Sequence, residues 1–174
     1  MPTTSITRVI ALDLGTKTGF ASRFLHDASS LTLATWELAT KREIRERENR
    51  WRDFDPRPDR LRAHLVHALT SYERDWARMA LSVWFEDVQF CTSTAQAQLW
   101  AGLRSAMWTL STLPIATIQF HAVPVGTLKK FATGAGNATK EMMKNAAPRS
   151  VGSAHDDNAI DAYFLMQYAC QGRT

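Results

Sequence analysis

Four carboxylates stand out by their surroundings. Asp13 closes the apolar run Val9-Ile10-Ala11-Leu12, and a Gly15-Thr16 turn and a second apolar stretch follow it. Glu86 ends the burst Leu81-Ser82-Val83-Trp84-Phe85, with Asp87 beside it. Asp157 and Asp161 open the last apolar segment, four residues apart and therefore on one face of a helix. A carboxylate in an apolar strand is costly unless a cation or a metal pairs with it. Three or four of them without a matching buried base coexist around hard cations, so Mg²⁺ or Mn²⁺ held by oxygen ligands is the expected solution. Two such ions about 3.5–4 Å apart suit in-line phosphodiester hydrolysis.

Each acid also has a plainer reading. Side chains alternate along a strand, so only one of Glu86 and Asp87 points at a shared site, and the other is an ordinary strand-end acid. Asp157 equally suits a helix N-cap or a first-turn acid favoured by the helix dipole. Asp161 lies further in, between Ile160 and Ala162, and Asp13 has no comparable structural use. If the first and fourth strands are neighbours, Asp13 and Glu86 meet at one edge, and a helix N-terminus packed there brings in Asp161 and Asp157.

The elements that must do this positioning are legible in outline. Residues 8–12 and 18–23 form a hairpin, and residues 31–37 alternate as a third strand, giving an antiparallel meander. Residues 41–62 are dense in charges of both signs. They read as a solvated helix with i,i+4 ion pairs and then a loop broken at Pro56 and Pro58, or as the wall of a nucleic-acid groove. Leu61, Leu65, Ala68, Leu69, Tyr72 and Trp76 then mark the core-facing side of a helix. Residues 81–88 form a buried parallel central strand. Thr92 or Ser93 caps a long helix over residues 95–111, striped by Leu99, Leu103, Ala106 and Leu110 and widened by Trp100, Met107 and Trp108. Such a helix has a second contact, with a dimer partner or with more of its own core. A fifth strand spans 115–123, followed by a short helix over 125–132 with Lys129 and Lys130. A loop at Gly134–Asn137 leads to a helix over 139–146 with Lys140 and Lys144. Residues 148–153 read as a flexible connection and 155–171 as the final helix. Lys129, Lys130, Lys140, Lys144 and Arg149 face only Glu141, a local basic excess of the kind that positions a phosphate backbone.

Composition sets wide limits. The chain has 174 residues, a net charge of +4 and a pI near 9.3, which suits one domain (1–174) and allows an anionic partner without requiring one. Cys91 and Cys170 are far apart and read as reduced thiols of a cytoplasmic protein. His64 and His67 have no third ligand and read as boundary residues. No membrane-spanning run is visible.

The order of these pieces resembles the RuvC-type Holliday junction resolvases of the RNase H-like superfamily. Ile10-Ala11-Leu12-Asp13-Leu14-Gly15-Thr16-Lys17-Thr18-Gly19 is similar to the family's first motif. Phe85-Glu86-Asp87-Val88-Gln89-Phe90 is similar to its strand-four glutamate and aromatic. Gly134-Ala135-Gly136-Asn137-Ala138-Thr139-Lys140-Glu141 and Asp156-Asp157-Asn158-Ala159-Ile160-Asp161-Ala162 resemble its Gly-rich lysine segment and its acidic helix. The resemblance implies an α/β, RNase H-like fold: a five-stranded mixed sheet, its first three strands antiparallel, flanked by helices. It also implies a homodimeric, Mg²⁺-dependent endonuclease making paired nicks in four-way DNA, in a bacterial or phage-infected cell. By the same resemblance Asp13, Glu86 and Asp161 ligate metal, Lys140 contacts phosphate and Phe90 stacks on an opened base. The family often places its last two ligands three residues apart. Here that position is Asn158, so Asp157 is assigned as the fourth ligand, with Asn158 as the alternative. Phe164 and Tyr168 are bulky for this helix and point to a different core or dimer contact.

Two rival readings share the core fold. Asp13-Leu14-Gly15-Thr16-Lys17-Thr18-Gly19 also resembles the first phosphate loop of actin-like and sugar-kinase proteins, but those need two such domains and a second loop. A non-catalytic DNA-binding module would not need all the acids.

Overall fold

The computed structural model describes residues 6–47, 54–71, 78–88 and 90–171. The charged positions 48, 50, 52 and 53, the helix-face residues Tyr72 and Trp76, and Gln89 lie outside the described residues.

Five described strands form one sheet in the order β3-β2-β1-β4-β5. Strands β1 (Ile6–Asp13), β2 (Lys17–Phe24) and β3 (Asp27–Glu37) make the expected antiparallel meander, and β4 (Met79–Asp87) and β5 (Thr117–Pro124) add in parallel to β1. The sheet is covered on both faces. Val9, Ile10, Ala11 and Leu12 are all fully buried, because alternate residues of β1 feed two different cores. Ile10 and Leu12 join Val83, Phe85, Leu61, Leu65 and Leu103 on the side of α2 (Arg57–Thr70) and α3 (Thr94–Trp108). Val9 and Ala11 join Ile160, Leu165 and Met166 on the side of α7 (Asp157–Gln171).

The long third helix is shorter than expected. It ends at Trp108, and a 3₁₀ turn (Thr109–Thr112) completes it. Its N-cap is Ser93, whose hydroxyl accepts the Gln96 N–H at 3.2 Å. Pro58, expected to break a loop, instead sits in the first turn of α2, where its missing N–H leaves no helix bond unmade. A short helix α1 (Lys41–Arg47) precedes it. Residues 148–153, expected as a flexible connection, contain the helical turn α6 (Arg149–Gly152), closed by Val151 and Gly152 N–H groups on the Pro148 carbonyl and holding Val151 in the core. Before it come α4 (Val125–Thr133), ended by Gly134 at φ 84°, and α5 (Lys140–Ala146), capped by Thr139. Phe164 is buried in the α7-side core, and Tyr168 sets its ring edge-on to Phe131 and Trp84, so both serve core contacts. His64 stacks on Trp36 at 5.0 Å, a boundary position as expected. Among the described residues no helix is long and apolar enough to cross a membrane.

Candidate active site

Strand parity decides which acids meet. In β1 the odd positions Val9 and Ala11 face α7, and Asp13 is the next of that series. In β4, Val83 and Phe85 face α3 while Trp84 faces α7, so Glu86 falls on Asp13's face and Asp87 on the other. The β1–β4 register ends at Leu12 opposite Phe85, which sets Asp13 and Glu86 side by side one residue further on. Asp87 points to α3, with its carboxylate 4.0 Å from the Arg104 guanidinium. That guanidinium is packed over the rings of Trp100, Trp108 and Phe85 at 4.8, 5.0 and 5.2 Å. The sequence left Glu86 and Asp87 as alternatives, and the fold separates them onto opposite faces.

Gly19 brings the third acid in. It pairs with Asp13 across the hairpin, and the backbone of α7 lies directly on it. A Cβ at Gly19 would sit 1.9 Å from the Asn158 carbonyl oxygen, so only glycine lets the helix start here. Asp156 then holds the helix end: its carboxylate accepts the Ala159 N–H at 3.1 Å and the Thr35 hydroxyl from β3. Burial raises the Asp156 pKa, but the Thr35, Ala159 and Asn158 hydrogen bonds outweigh it and leave the carboxyl below its ordinary value. Asp156, rather than Asp157, is therefore the N-cap of α7. The signal was present in the sequence, since an aspartate immediately before an apolar helical run is a cap pattern.

Asp13, Glu86 and Asp161 lie within electrostatic reach of one another. Burial pushes Asp13 well above the ordinary carboxylate range, and the charges of Glu86 and Asp161 push it further, against Lys140. Burial lifts Glu86 from 4.5 to about 7, with Asp161 adding and Lys129 opposing. Burial likewise lifts Asp161 from 3.8 to about 6, with Lys140 and Lys129 opposing and Asp157 adding. Asp157 lies at the rim, half-exposed, 3.6 Å from the Lys140 ammonium. Lys129 and Lys140 thus face the cluster electrostatically, whereas Lys130 and Lys144 have no described link to it. Phe90, three residues beyond β4, is 88% exposed.

Among the described residues, no three Asp, Glu, His or Cys side chains are grouped so as to hold one ion. The donor chemistry nonetheless fits a hard divalent cation. The set is all oxygen, it is buried enough to be penalised for its charge, and among the described residues Lys129 and Lys140 offset its mutual repulsion.

No protein-family model matches the chain, and no curated protein does. Solved structures do match. RuvC of Thermus thermophilus superposes with a TM-score of 0.62 at 17% identity, over 95% of each chain. The same protein in complex with a Holliday junction substrate gives 0.60 at 18%, over 95% of this chain and 96% of that one. A yeast mitochondrial Holliday junction resolvase gives 0.52 at 11%, over 99% and 83%. With a five-stranded mixed sheet whose first three strands are antiparallel, the chain has the RuvC-type, RNase H-like fold.

Proposed function

We propose that this chain is a structure-selective endonuclease that resolves four-way DNA junctions. One domain, residues 1–174, would carry the activity in the cytoplasm of a bacterial or phage-infected cell. The observation that carries the reading is the electrostatic coupling of Asp13 and Glu86, at the carboxyl ends of two parallel strands, with Asp161 of α7, in a fold shared with proteins solved as junction resolvases.

In this reading Asp13, Glu86 and Asp161 hold Mg²⁺ or Mn²⁺, and Asp157 completes the set. The bound cations supply the charge that makes water a nucleophile near neutral pH and stabilises the leaving 3′ oxygen. The chain's own residues do the positioning. Gly19 and Asp156 fix α7 so that Asp161 faces Asp13. Lys140, paired with Asp157, stands where a scissile phosphate would enter and can exchange its carboxylate for phosphate oxygens. Lys129, Lys130 and Lys144 extend that basic surface along the backbone. Phe90, almost fully exposed beyond Glu86, is available to stack on an opened base.

Paired nicking calls for two copies. The outward side of α3 carries Ala97, Ala101, Ser105 and Trp108, all exposed and uncharged, and Trp108 keeps 45% of its surface open. That face suits a second copy of the same helix, as in a homodimer. The test is to compare cleavage of synthetic four-way junctions, flaps and linear duplexes side by side in Mg²⁺. Preferential paired nicking of the junction is expected. Equal cutting of all three, or tight ATP binding without cutting, would overturn the reading.

A further inference from the structure

We propose that Arg104 is a positioning residue for the acid cluster: caged by three aromatic rings of α3 and β4, its guanidinium holds Asp87 on one face of the sheet and so keeps Glu86 turned to the other. This rests on the nuclease reading above and adds to it how Glu86 is kept in place to receive a cation.

The end of β4 has little backbone support. Among the described residues the β1 ladder reaches no further than Phe85, and Glu86 and Asp87 pair with Val123 and Pro124 of β5. Pro124 has no N–H, so the last of these pairs lacks a donor on the β5 side. The strand ends at Asp87. The orientation of these two residues therefore depends on what their side chains meet. Successive side chains of a strand point to opposite faces. A rotation of the strand end that releases Asp87 also swings Glu86 away from Asp13, and a hold on Asp87 fixes both.

Arg104 supplies that hold. Its guanidinium stands 4.0 Å from the Asp87 carboxylate, and the two side chains are only 30% and 29% exposed, so water screens the pair in part. The cation is confined as well as attracted. The rings of Trp100, Trp108 and Phe85 lie 4.8, 5.0 and 5.2 Å from its central carbon, and aromatic faces bind a planar cation. Trp100 and Trp108 are one helical turn before and after Arg104 on α3. Phe85 immediately precedes Glu86, so the cage is built in part on the strand it steadies.

Stability does not account for this arrangement. Arg104 Nε and Trp100 Nε1 are buried without a hydrogen-bond partner, and a buried N–H left unpaired is destabilising. A methionine at 104 would fill the space without the unpaired Nε. What the arginine adds is a charge in reach of Asp87, and it is the one charged residue of α3.

The test is Mg²⁺ binding without cutting, read as the rise in melting temperature during an Mg²⁺ titration. It compares wild type, Asp87→Asn, Arg104→Met and the double variant, with four-way junction binding measured alongside in EDTA. Losing a group that holds a metal ligand from behind weakens metal binding about tenfold. Each single variant should need about tenfold more Mg²⁺, and the double variant no more than either, because both substitutions break one link. Arg104→Lys, which keeps the charge but not the planar fork, should fall between wild type and Arg104→Met. Junction affinity in EDTA should not change. Weakened Mg²⁺ binding in Asp87→Asn but not in Arg104→Met would make Asp87 itself a ligand and overturn the proposal. Unchanged Mg²⁺ binding in both, or additive losses, would overturn it too. If Arg104→Met does not fold, Arg104→Lys beside Asp87→Asn decides in the same way. A wild type that neither binds Mg²⁺ nor cuts a junction would instead overturn the nuclease reading.

Discussion

Removing an acid of the proposed site should make the metal-free protein more stable, and Glu86→Gln is the variant that reads this most cleanly. Glu86 lies in the fold with its pKa raised from 4.5 to about 7, first by burial and then by Asp161. A carboxyl whose pKa is raised by folding takes up protons on folding, so stability falls as pH rises through the window between the two values. Below about pH 4.5 the group is neutral in both states and costs nothing. Above about pH 7 it is charged in both, and the folded state carries the whole penalty. At about 1.4 kcal/mol per tenfold change, the penalty reaches about 3 kcal/mol at pH 8. A neutral amide of the same shape avoids it. For a chain of this size that corresponds to a rise in melting temperature of about 6–12 °C. The assay is thermal unfolding of wild type and Glu86→Gln in EDTA at pH 5 and pH 8, repeated with Mg²⁺. The variant should melt well above wild type at pH 8, and the gap should shrink towards pH 5. Mg²⁺ should raise wild type more than the variant. A variant that melts below wild type at pH 8, or an offset that is the same at both pH values, would refute the reasoning.

Other perturbations probe the parts that position the cluster. Gly19→Ala forces α7 away from the sheet, because its new Cβ would fall 1.9 Å from the Asn158 carbonyl oxygen. It should abolish Mg²⁺-dependent cleavage and lower the melting temperature by at least several degrees, and wild-type cleavage would contradict the docking role. Trp108→Glu should shift the protein from dimer to monomer in sedimentation at micromolar concentration and turn paired nicks into single ones, whereas a wild type that is already monomeric would contradict paired cutting. Asp157→Ala should raise the Mg²⁺ concentration needed for half-maximal cleavage more than Asn158→Ala does, and the reverse order would move the fourth ligand to Asn158.

Much of the fold was legible because the signals are local. The apolar run closed by Asp13 marked the first strand of a hairpin and residues 81–88 a buried parallel central strand, and both are found. The alternation rule made Glu86 and Asp87 exclusive, and the structure turns Asp87 to Arg104. Local rules misled where tertiary context changed their meaning. Pro58 reads as a breaker until it is seen at a helix start, and Pro148 to Ser153 looks loose until Val151 is seen in the core. The contacts that assemble the candidate site were not legible at all. Gly19 under Asn158, Thr35 on Asp156 and Arg57 on Thr16 join residues far apart in the chain, and no residue type or spacing announces them. Gly19 stands in the sequence only as a member of the hairpin motif, while its missing side chain is what admits the helix bearing Asp161.

The most direct test of the central claim is a four-way junction incubated in Mg²⁺ with wild type and with Asp13→Asn, scored for both cleavage and binding. Wild type should introduce paired nicks, and Asp13→Asn should bind the junction but leave it intact. Nicking by Asp13→Asn at the wild-type rate would contradict a cluster built on Asp13, Glu86 and Asp161.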